Sequence, residues 1–183
     1  MPRFAANLSM LFTEVPLADR IDHAARAGFD AVEVQFPYEL PAATLRARLD
    51  ANSIPMVLHN LPAGDWAGGD RGIACDQARQ EEFRDGIARA IEYAQTLGVR
   101  QINCLTGKPG AGVPDAITRA TLVDNLRHAA ERLAQANLRL LLEPVNSRDV
   151  PGFWLDSVDK ALSVEGMTHA HNSLPCQCRA LRY

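Results

Sequence analysis

Polar side chains follow several short apolar segments of this sequence. The clearest case is Glu143, which comes directly after the apolar run 140–142 and before Pro144. Buried strands read as continuous apolar runs and proline cannot donate a ladder hydrogen bond, so we expect Glu143 at the C-terminal end of a buried strand. A carboxylate behind apolar residues is costly unless it is paired, metal-bound or poised for proton transfer. Glu143 is therefore the first candidate for catalysis.

Other polar residues occupy the ends of the remaining apolar segments, and we expect them to face the same mouth of the fold. Each also has a structural interpretation. The asparagines can cap turns, a glutamate can be a surface charge, and a lone histidine near a strand end is more often structural than catalytic. These residues are Asn7, Ser9, Glu33, Gln35, His59, Asn60 and Asn103.

A long segment follows the third apolar run, from residue 59 to residue 83. Loops of this length in compact domains are usually lids, binding loops or disordered segments. Trp66 could close over a small ligand, and the planar guanidinium of Arg71 could hold a carboxylate. The alternative is a flexible connector with a surface arginine. The later stretch 107–112, "GKPGAG", lacks the ending of a phosphate loop and predicts a turn.

Short apolar strands alternate with amphipathic helices along the chain. Gly28, Gly98 and Asn137 stand where three of the helices end, and these residue types accept a left-handed C-cap. Strand followed by helix, about five times, predicts an α/β fold with a parallel sheet and right-handed crossovers. We expect strands near 3–9, 30–36, 54–60, 99–105 and 138–143, and helices near 16–28, 41–52, 77–97, 115–136 and 154–164.

This pattern predicts a partial (β/α)8 TIM barrel with about five βα units. A complete barrel needs about 250 residues, whereas this chain has 183. An open doubly wound sheet would fit the length. Its glycine fingerprint is absent after the first strand, however, where "SMLFTEVP" stands instead. We expect residues 1–164 to form the incomplete barrel domain.

Composition narrows the function classes. A net charge of -3 and a pI near 5.9 provide no basic field for a phosphate backbone, which counts against nucleic acid as a partner. No segment predicts a membrane span or a signal peptide, so we expect a cytoplasmic protein. The four cysteines are too few and too scattered for a disulfide framework, and we expect reduced thiols.

The segment 165–183 departs from the pattern before it. It shows neither a strand pattern nor a helical apolar period, and the change comes near Val164. One interpretation is a disordered or out-of-frame tail that replaces the rest of a barrel. The other is a small zinc site, although the spacing does not match the usual C-x2-C knuckle. Its ligands would be His169, His171, Cys176 and Cys178.

Four long segments of the sequence resemble the hydroxypyruvate isomerase family, within the xylose-isomerase-like barrels. They are "RFAANLSMLF", "LHNLPAGDWAGGDRGIACD", "EEFRDGIARAIEYAQTLGVRQINCLTGK" and "LLLEPVNSRDVPGF", and the resemblance covers residues 3 to 164. It implies an eight-fold βα barrel that interconverts hydroxypyruvate and tartronate semialdehyde. It also implies two glutamates at the barrel mouth and, in related members, a divalent metal such as Mg or Mn. Glu143, in "EPVN", falls on the first glutamate, whereas the second glutamate and the further metal ligands belong to strands that this chain lacks.

These observations together predict a set of site residues. Glu143 is expected to act as acid/base and metal ligand, and His59 to polarise a substrate oxygen. Arg71 is expected to hold the substrate carboxylate, with Trp66 over the ligand. The amides that would orient the substrate hydroxyls are those of Asn7, Asn60 and Asn103.

The expected partner is a small hydroxy or oxo acid, and a homo-oligomer is compatible with the sequence. Three alternatives stay open: a 2-oxo-tetronate or sugar isomerase or epimerase of the same barrel family, an endonuclease, and an inactive barrel fragment. The endonuclease needs a multi-zinc cluster and a basic groove. The fragment would expose sheet edges and apolar surface.

Overall fold

The computed structural model describes residues 2–168, which contain one five-stranded parallel sheet. The strands are hydrogen-bonded in the order of the chain, and each is joined to the next by a helical segment. A sequential order without a reversal is the arrangement of a barrel wall, not of a doubly wound sheet. The predicted partial barrel is confirmed. Its strands are β1 Ala5–Asn7, β2 Ala31–Glu33, β3 Met56–Asn60, β4 Gln101–Cys104 and β5 Arg139–Leu142.

Within residues 2–168, five α-helices follow the five strands, and the three predicted left-handed helix ends are confirmed. Gly28 has φ +85°, Gly98 has φ +74° and Asn137 has φ +57°. These residue types adopt the αL conformation at low cost, so the chain can leave the helix and begin the next strand. The helices are α1 Leu17–Arg26, α2 Ala42–Ala51, α3 Gln80–Leu97, α4 Asp115–Gln135 and α5 Val158–Thr168, with short 3-10 turns at Pro37–Glu39 and Gln77–Arg79.

The last helix differs from its predicted bounds at both ends. It begins at Val158 instead of residue 154, because Trp154 is held in the preceding loop. The Trp154 backbone N–H donates to Gly107 O (2.9 Å), and its indole Nε1 donates to Asp115 Oδ1 (2.9 Å). The helix also continues past Val164 to Thr168, so the predicted break in pattern at Val164 does not end it.

The core lies between the sheet and the helices. Side chains alternate between the two faces of a strand, so one set packs under the helices while the other faces the barrel interior. Ala6, Val32 and Ile102 are fully buried and belong to the same core cluster as the helix residues Ile21, Leu45, Ile87 and Leu122. The interior set is therefore left to line the space where the strands end.

Within residues 2–168, none of the helices has the length and apolar character that a membrane crossing requires. The tail ligands proposed for zinc, His169, His171, Cys176 and Cys178, lie outside the described residues, so that hypothesis stays a prediction. The division of the chain at residue 164 likewise stays a prediction.

Candidate active site

A pocket opens at the carboxyl ends of the strands, on the interior side of the sheet. Four of the predicted site residues, Asn7, Asn60, Asn103 and Glu143, line it together. Strand alternation explains this, because Leu58 and Asn60 project to one face of β3 while Leu141 and Glu143 continue one face of β5. The remaining lining residues are Glu33, Val34, Gln35, Leu58, Leu141 and Leu142.

Glu143 is held in this pocket by an amide network from the neighbouring strands. Asn103 Nδ2 donates to Glu143 Oε2 (2.8 Å) and to Asn60 Oδ1 (3.1 Å). An amide nitrogen carries two hydrogens, so both bonds form at once and fix the orientation of Asn103. Asn60 and Asn103 are 5% and 4% exposed and pair in register across β3 and β4. The carboxylate is thus presented by nearly buried, pre-oriented side chains.

A second carboxylate, Glu33, lines the same pocket from β2. Asn7 Nδ2 donates to Glu33 Oε1 (3.1 Å), and Asn7 and Glu33 are register partners across β1 and β2. Asn7 Oδ1 accepts from the Ser9 N–H (3.0 Å), and Ser9 Oγ accepts from the Gln35 N–H (2.8 Å). The sequence predicts Glu33 at the mouth of the fold but assigns it no role. A signal for such a role is present, because Glu33 and Gln35 are two residues apart and therefore face the same side of the chain, next to the end of β1.

His59 does not line this pocket. It is fully buried on the opposite face of β3, where its ring makes an edge contact with Tyr38 at 5.9 Å between centroids. His59 Nδ1 lies 3.1 Å from Asn60 O, which also accepts from the Tyr38 hydroxyl (2.5 Å). Burial lowers the pKa of His59 to about 4, so the imidazole is neutral at pH 7. This position does not favour the predicted role of polarising a substrate oxygen.

Tyr38 is a residue that sequence reasoning missed. Its ring contacts His59 and Tyr93, and burial raises the pKa of its hydroxyl. Tyr93 in turn donates its hydroxyl to Leu40 O (2.9 Å), which ties α3 to the segment after β2. No local pattern predicts that this tyrosine contacts His59, because the contact depends on how the turn after β2 folds back.

Trp66 and Arg71 stack on one another in the loop after β3. Trp66 is 39% exposed, lies 4.8 Å from Phe36 between ring centroids, and lines a larger cavity that shares Val34 and Gln35 with the strand-end pocket. Arg71 Cζ lies 4.2 Å from the Trp66 ring, and Arg71 Nη1 donates to Trp66 O (3.1 Å) and Asp70 O (2.6 Å). Trp66 therefore lines a cavity next to the strand-end pocket, but the guanidinium of Arg71 is engaged within its own loop.

The base of this loop is pinned to the loop after β4. Gly72 has φ +110° and forms an isolated antiparallel bridge with Thr106. A Cβ at Gly72 would overlap Leu105 O, and one at Gly107 would overlap Gly72 O. Asn125, fully buried on α4, donates to Ala74 O (2.9 Å) and anchors the same end. These glycines are needed for close backbone approach, so the base of the loop is not a free connector.

A divalent metal, which the family resemblance implies, needs several oxygen ligands within reach of one another. Within residues 2–168 there is no group of three or more His, Cys, Asp or Glu side chains that could hold a metal ion. Glu143 is one suitable oxygen ligand, and Asn103, which donates to it, is an amide. The described residues therefore do not form a complete metal site.

Comparisons with known proteins agree with this architecture. A family model described as "Xylose isomerase-like TIM barrel" matches residues 21–173. The hydroxypyruvate isomerase of Escherichia coli (strain K12) is 51% identical over 164 residues, which cover 90% of this chain and 64% of that protein. The 2-oxo-tetronate isomerase of Cupriavidus necator is 46% identical, covering 90% of this chain and 63% of that protein. The chain thus spans a little under two thirds of the length of these relatives.

Solved structures give the same picture of the fold. A crystal structure titled AP endonuclease, family 2, from Brucella melitensis superposes with a TM-score of 0.88 at 38% identity, covering 92% of this chain and 65% of that one. A D-allulose 3-epimerase from Methylomonas sp. superposes with a TM-score of 0.63 at 21% identity, covering 82% of this chain and 52% of that one. At that identity the epimerase supports the fold alone.

Proposed function

The chain belongs to the xylose isomerase-like TIM barrel family, and on that premise we propose that its strand-end pocket binds hydroxypyruvate and isomerises it to tartronate semialdehyde. The observation that carries this proposal is the carboxylate of Glu143, held by Asn103 at the carboxyl ends of the strands. The relatives that are 51% and 46% identical are named for isomerases of short oxo acids. Their names support a short oxo acid as the substrate.

The reaction needs a base that can also return a proton. One proton leaves the hydroxymethyl carbon, an enediol forms, and a proton is added to the former carbonyl carbon, while the hydroxyl proton passes to the other oxygen. A carboxylate near these carbons can remove and return the carbon-bound proton. We assign this role to Glu143, and Asn103 holds its carboxylate in one orientation.

The amides and the tryptophan supply binding. Asn7, Asn60 and Asn103 would orient the hydroxyl and carbonyl oxygens of the substrate from the strand ends, and Trp66 would cover it from the loop. His59 and Arg71 are left out of this assignment, because the imidazole lies on the other face of β3 and the guanidinium is bound to loop carbonyls.

A divalent cation, Mg or Mn, remains part of the proposal with Glu143 as one ligand. When bound, such a cation would stabilise the negative charge of an enediolate. The cytoplasmic location and the absence of nucleic-acid partners remain proposals from composition, and a homo-oligomeric state remains a proposal.

A substrate panel tests the function. The purified chain, with and without added Mn, is incubated with hydroxypyruvate, a four-carbon 2-oxo acid, a ketohexose and a DNA duplex with one abasic site. We expect isomerisation of the short oxo acids and no strand cleavage. Cleavage of the duplex would favour the endonuclease. A cooperatively folded chain that converts none of the acids would contradict the proposal and favour an inactive fragment.

A further inference from the structure

The isomerisation assigned to Glu143 leaves Glu33 without a function, although both carboxylates line one pocket. They enter it from different parts of the sheet. Glu143 follows β5 and is bound by an amide of β4, whereas Glu33 ends β2 and is bound by an amide of β1. The pocket therefore has two polar ends, with the apolar side chains Leu58 and Leu141 among its other walls.

The backbone around Glu33 aims its side chain into the pocket. The pairing of β2 with β3 shifts between Val32 and Glu33, so that Val32 pairs with Met56 but Glu33 pairs with Leu58. Such irregularities re-aim a side chain and occur beside active sites. Glu33 consequently joins the inner row of Asn7 and Leu58, while Val32 stays fully buried in the core.

Hydrogen bonds on β1 and β2 then fix that orientation. Asn7 donates to Glu33 Oε1, and the amide of Asn7 is itself held by the N–H of Ser9. Ser9 is tied back to β2 by the Gln35 N–H, and the Leu8 N–H donates to Glu33 O (2.9 Å). A side chain fixed from two strands is suited to discriminate between ligands, because little rotamer freedom is lost on binding.

The chemistry of this end favours a hydroxyl and disfavours an anion. A carboxylate accepts a hydrogen bond from an O–H group and repels a substrate carboxylate. A three-carbon acid that places its reacting carbons at Glu143 has no further hydroxyl for Glu33. A four-carbon hydroxy acid has one more, at its far end.

We infer that Glu33, positioned by Asn7, determines specificity by accepting a hydrogen bond from the terminal hydroxyl of four-carbon hydroxy acids. This inference rests on the proposed function of the same pocket. It assigns the β1–β2 end to the substrate's hydroxyl terminus, and it makes Glu33 the residue that separates four-carbon from three-carbon acids.

Binding of unreactive acids tests this without requiring turnover. Calorimetric titration of the full chain with glycerate and with the two 2,3,4-trihydroxybutanoates gives a ratio of dissociation constants for three and four carbons. We expect Glu33→Gln to lower the four-carbon preference by about tenfold, since a hydrogen bond to a charged group is lost. Glycerate affinity should stay equal or increase, because a like charge is removed.

Two further variants keep the test decisive. Glu33→Asp retains the charge but is one methylene shorter, so it should lose the four-carbon preference without tighter glycerate binding. Glu14→Gln removes an exposed negative charge after β1, outside the pocket lining, and should leave the ratio unchanged.

The outcomes separate this inference from the proposed function. A shifted ratio in a chain that isomerises nothing would retain Glu33 as a binding residue and reject the isomerase. Normal isomerisation with an unchanged ratio in Glu33→Gln and Glu33→Asp would overturn the role of Glu33. A wild-type chain that binds neither class of acid would overturn it as well.

Discussion

His59 and Asn60 are neighbours in the sequence and are both nearly inaccessible, yet they belong to different chemical environments. Asn60 faces the barrel interior, accepts from Asn103 and lines the pocket with Glu143. His59 faces the helices, packs against Tyr38 and has a pKa lowered to about 4 by burial. Polar residues at a strand end therefore do not share a function by position alone, because the face of the strand decides which of them can meet a ligand.

Removing the carboxylate of Glu143, on the interior face of the sheet, should have the largest effect on activity. Glu143→Gln keeps the shape and the contact with Asn103 but removes the base, so we expect kcat for hydroxypyruvate to fall by about 100-fold or more. Glu81→Gln, an exposed change on α3, should leave kcat within about threefold of wild type, which is under 1 kcal/mol. If Glu143→Gln kept full activity, the interior face of the sheet would not be the face that carries the catalytic carboxylate.

The pinned loop offers a second comparison, between Gly72 at its base and Gly69 at its tip. Both have strongly positive φ, +110° and +108°, but a Cβ at Gly69 meets nothing within 4 Å, whereas at Gly72 it overlaps Leu105 O. We expect Gly72→Ala to lower the free energy of unfolding by about 2 kcal/mol more than Gly69→Ala. Urea denaturation measures both. Equal losses would mean that only backbone conformation, and not close approach, constrains Gly72.

The burial of His59 on the helix-facing side of β3 should make the free energy of unfolding depend on pH. The pKa of His59 is about 4 in the folded chain and about 6.5 when unfolded, so the unfolded state binds more protons between these values. Stability should therefore fall as pH drops from about 6.5 to about 4, by up to about 3 kcal/mol.

Comparing the loss of stability on acidification between wild type and His59→Gln separates the contribution of His59 from that of other titrating groups. Unfolding free energies of wild type and His59→Gln are compared at about pH 7 and about pH 4. The His59→Gln variant should lose less stability on acidification than the wild type. An identical acid response in wild type and His59→Gln would contradict the burial of a neutral imidazole.

The smallest effect is expected at Arg71. Because its guanidinium is bound to Trp66 O and Asp70 O, Arg71→Ala should raise KM for hydroxypyruvate by less than about threefold. Loss of a residue that clamps the substrate carboxylate would cost about 2 kcal/mol or more, over 20-fold in affinity. An effect of that size would restore Arg71 to the binding site.

Much of the fold could be predicted because local signals and tertiary structure agree. Gly28, Gly98 and Asn137 mark real left-handed ends of helices, and the apolar runs before Asn60, Asn103 and Glu143 are real strands. Strand ends of a parallel sheet meet at one edge, so Asn7, Asn60, Asn103 and Glu143 could be grouped from the sequence alone.

The features of the fold and the site that could not be predicted depend on contacts between segments far apart in the sequence. The register shift at Glu33 decides which face its side chain takes, and the turn after β2 brings Tyr38 onto His59. The overlap of Gly72 with the loop after β4 likewise arises only when both loops are in place. A loop rich in glycine consequently reads as mobile in the sequence, although its base is fixed in the structure.

The transfer of a proton by Glu143 can be tested most directly by isomerising hydroxypyruvate in D2O and trapping the aldehyde with a specific reductase. Mass spectrometry and NMR then locate the deuterium in the trapped product, relative to a sample without protein. Proton transfer through a carboxylate predicts deuterium on the carbon that was the carbonyl of the substrate, formed by wild type and strongly reduced in Glu143→Gln. A product formed at full rate by Glu143→Gln, with as much deuterium on that carbon as in the wild-type product, would contradict Glu143 as the base.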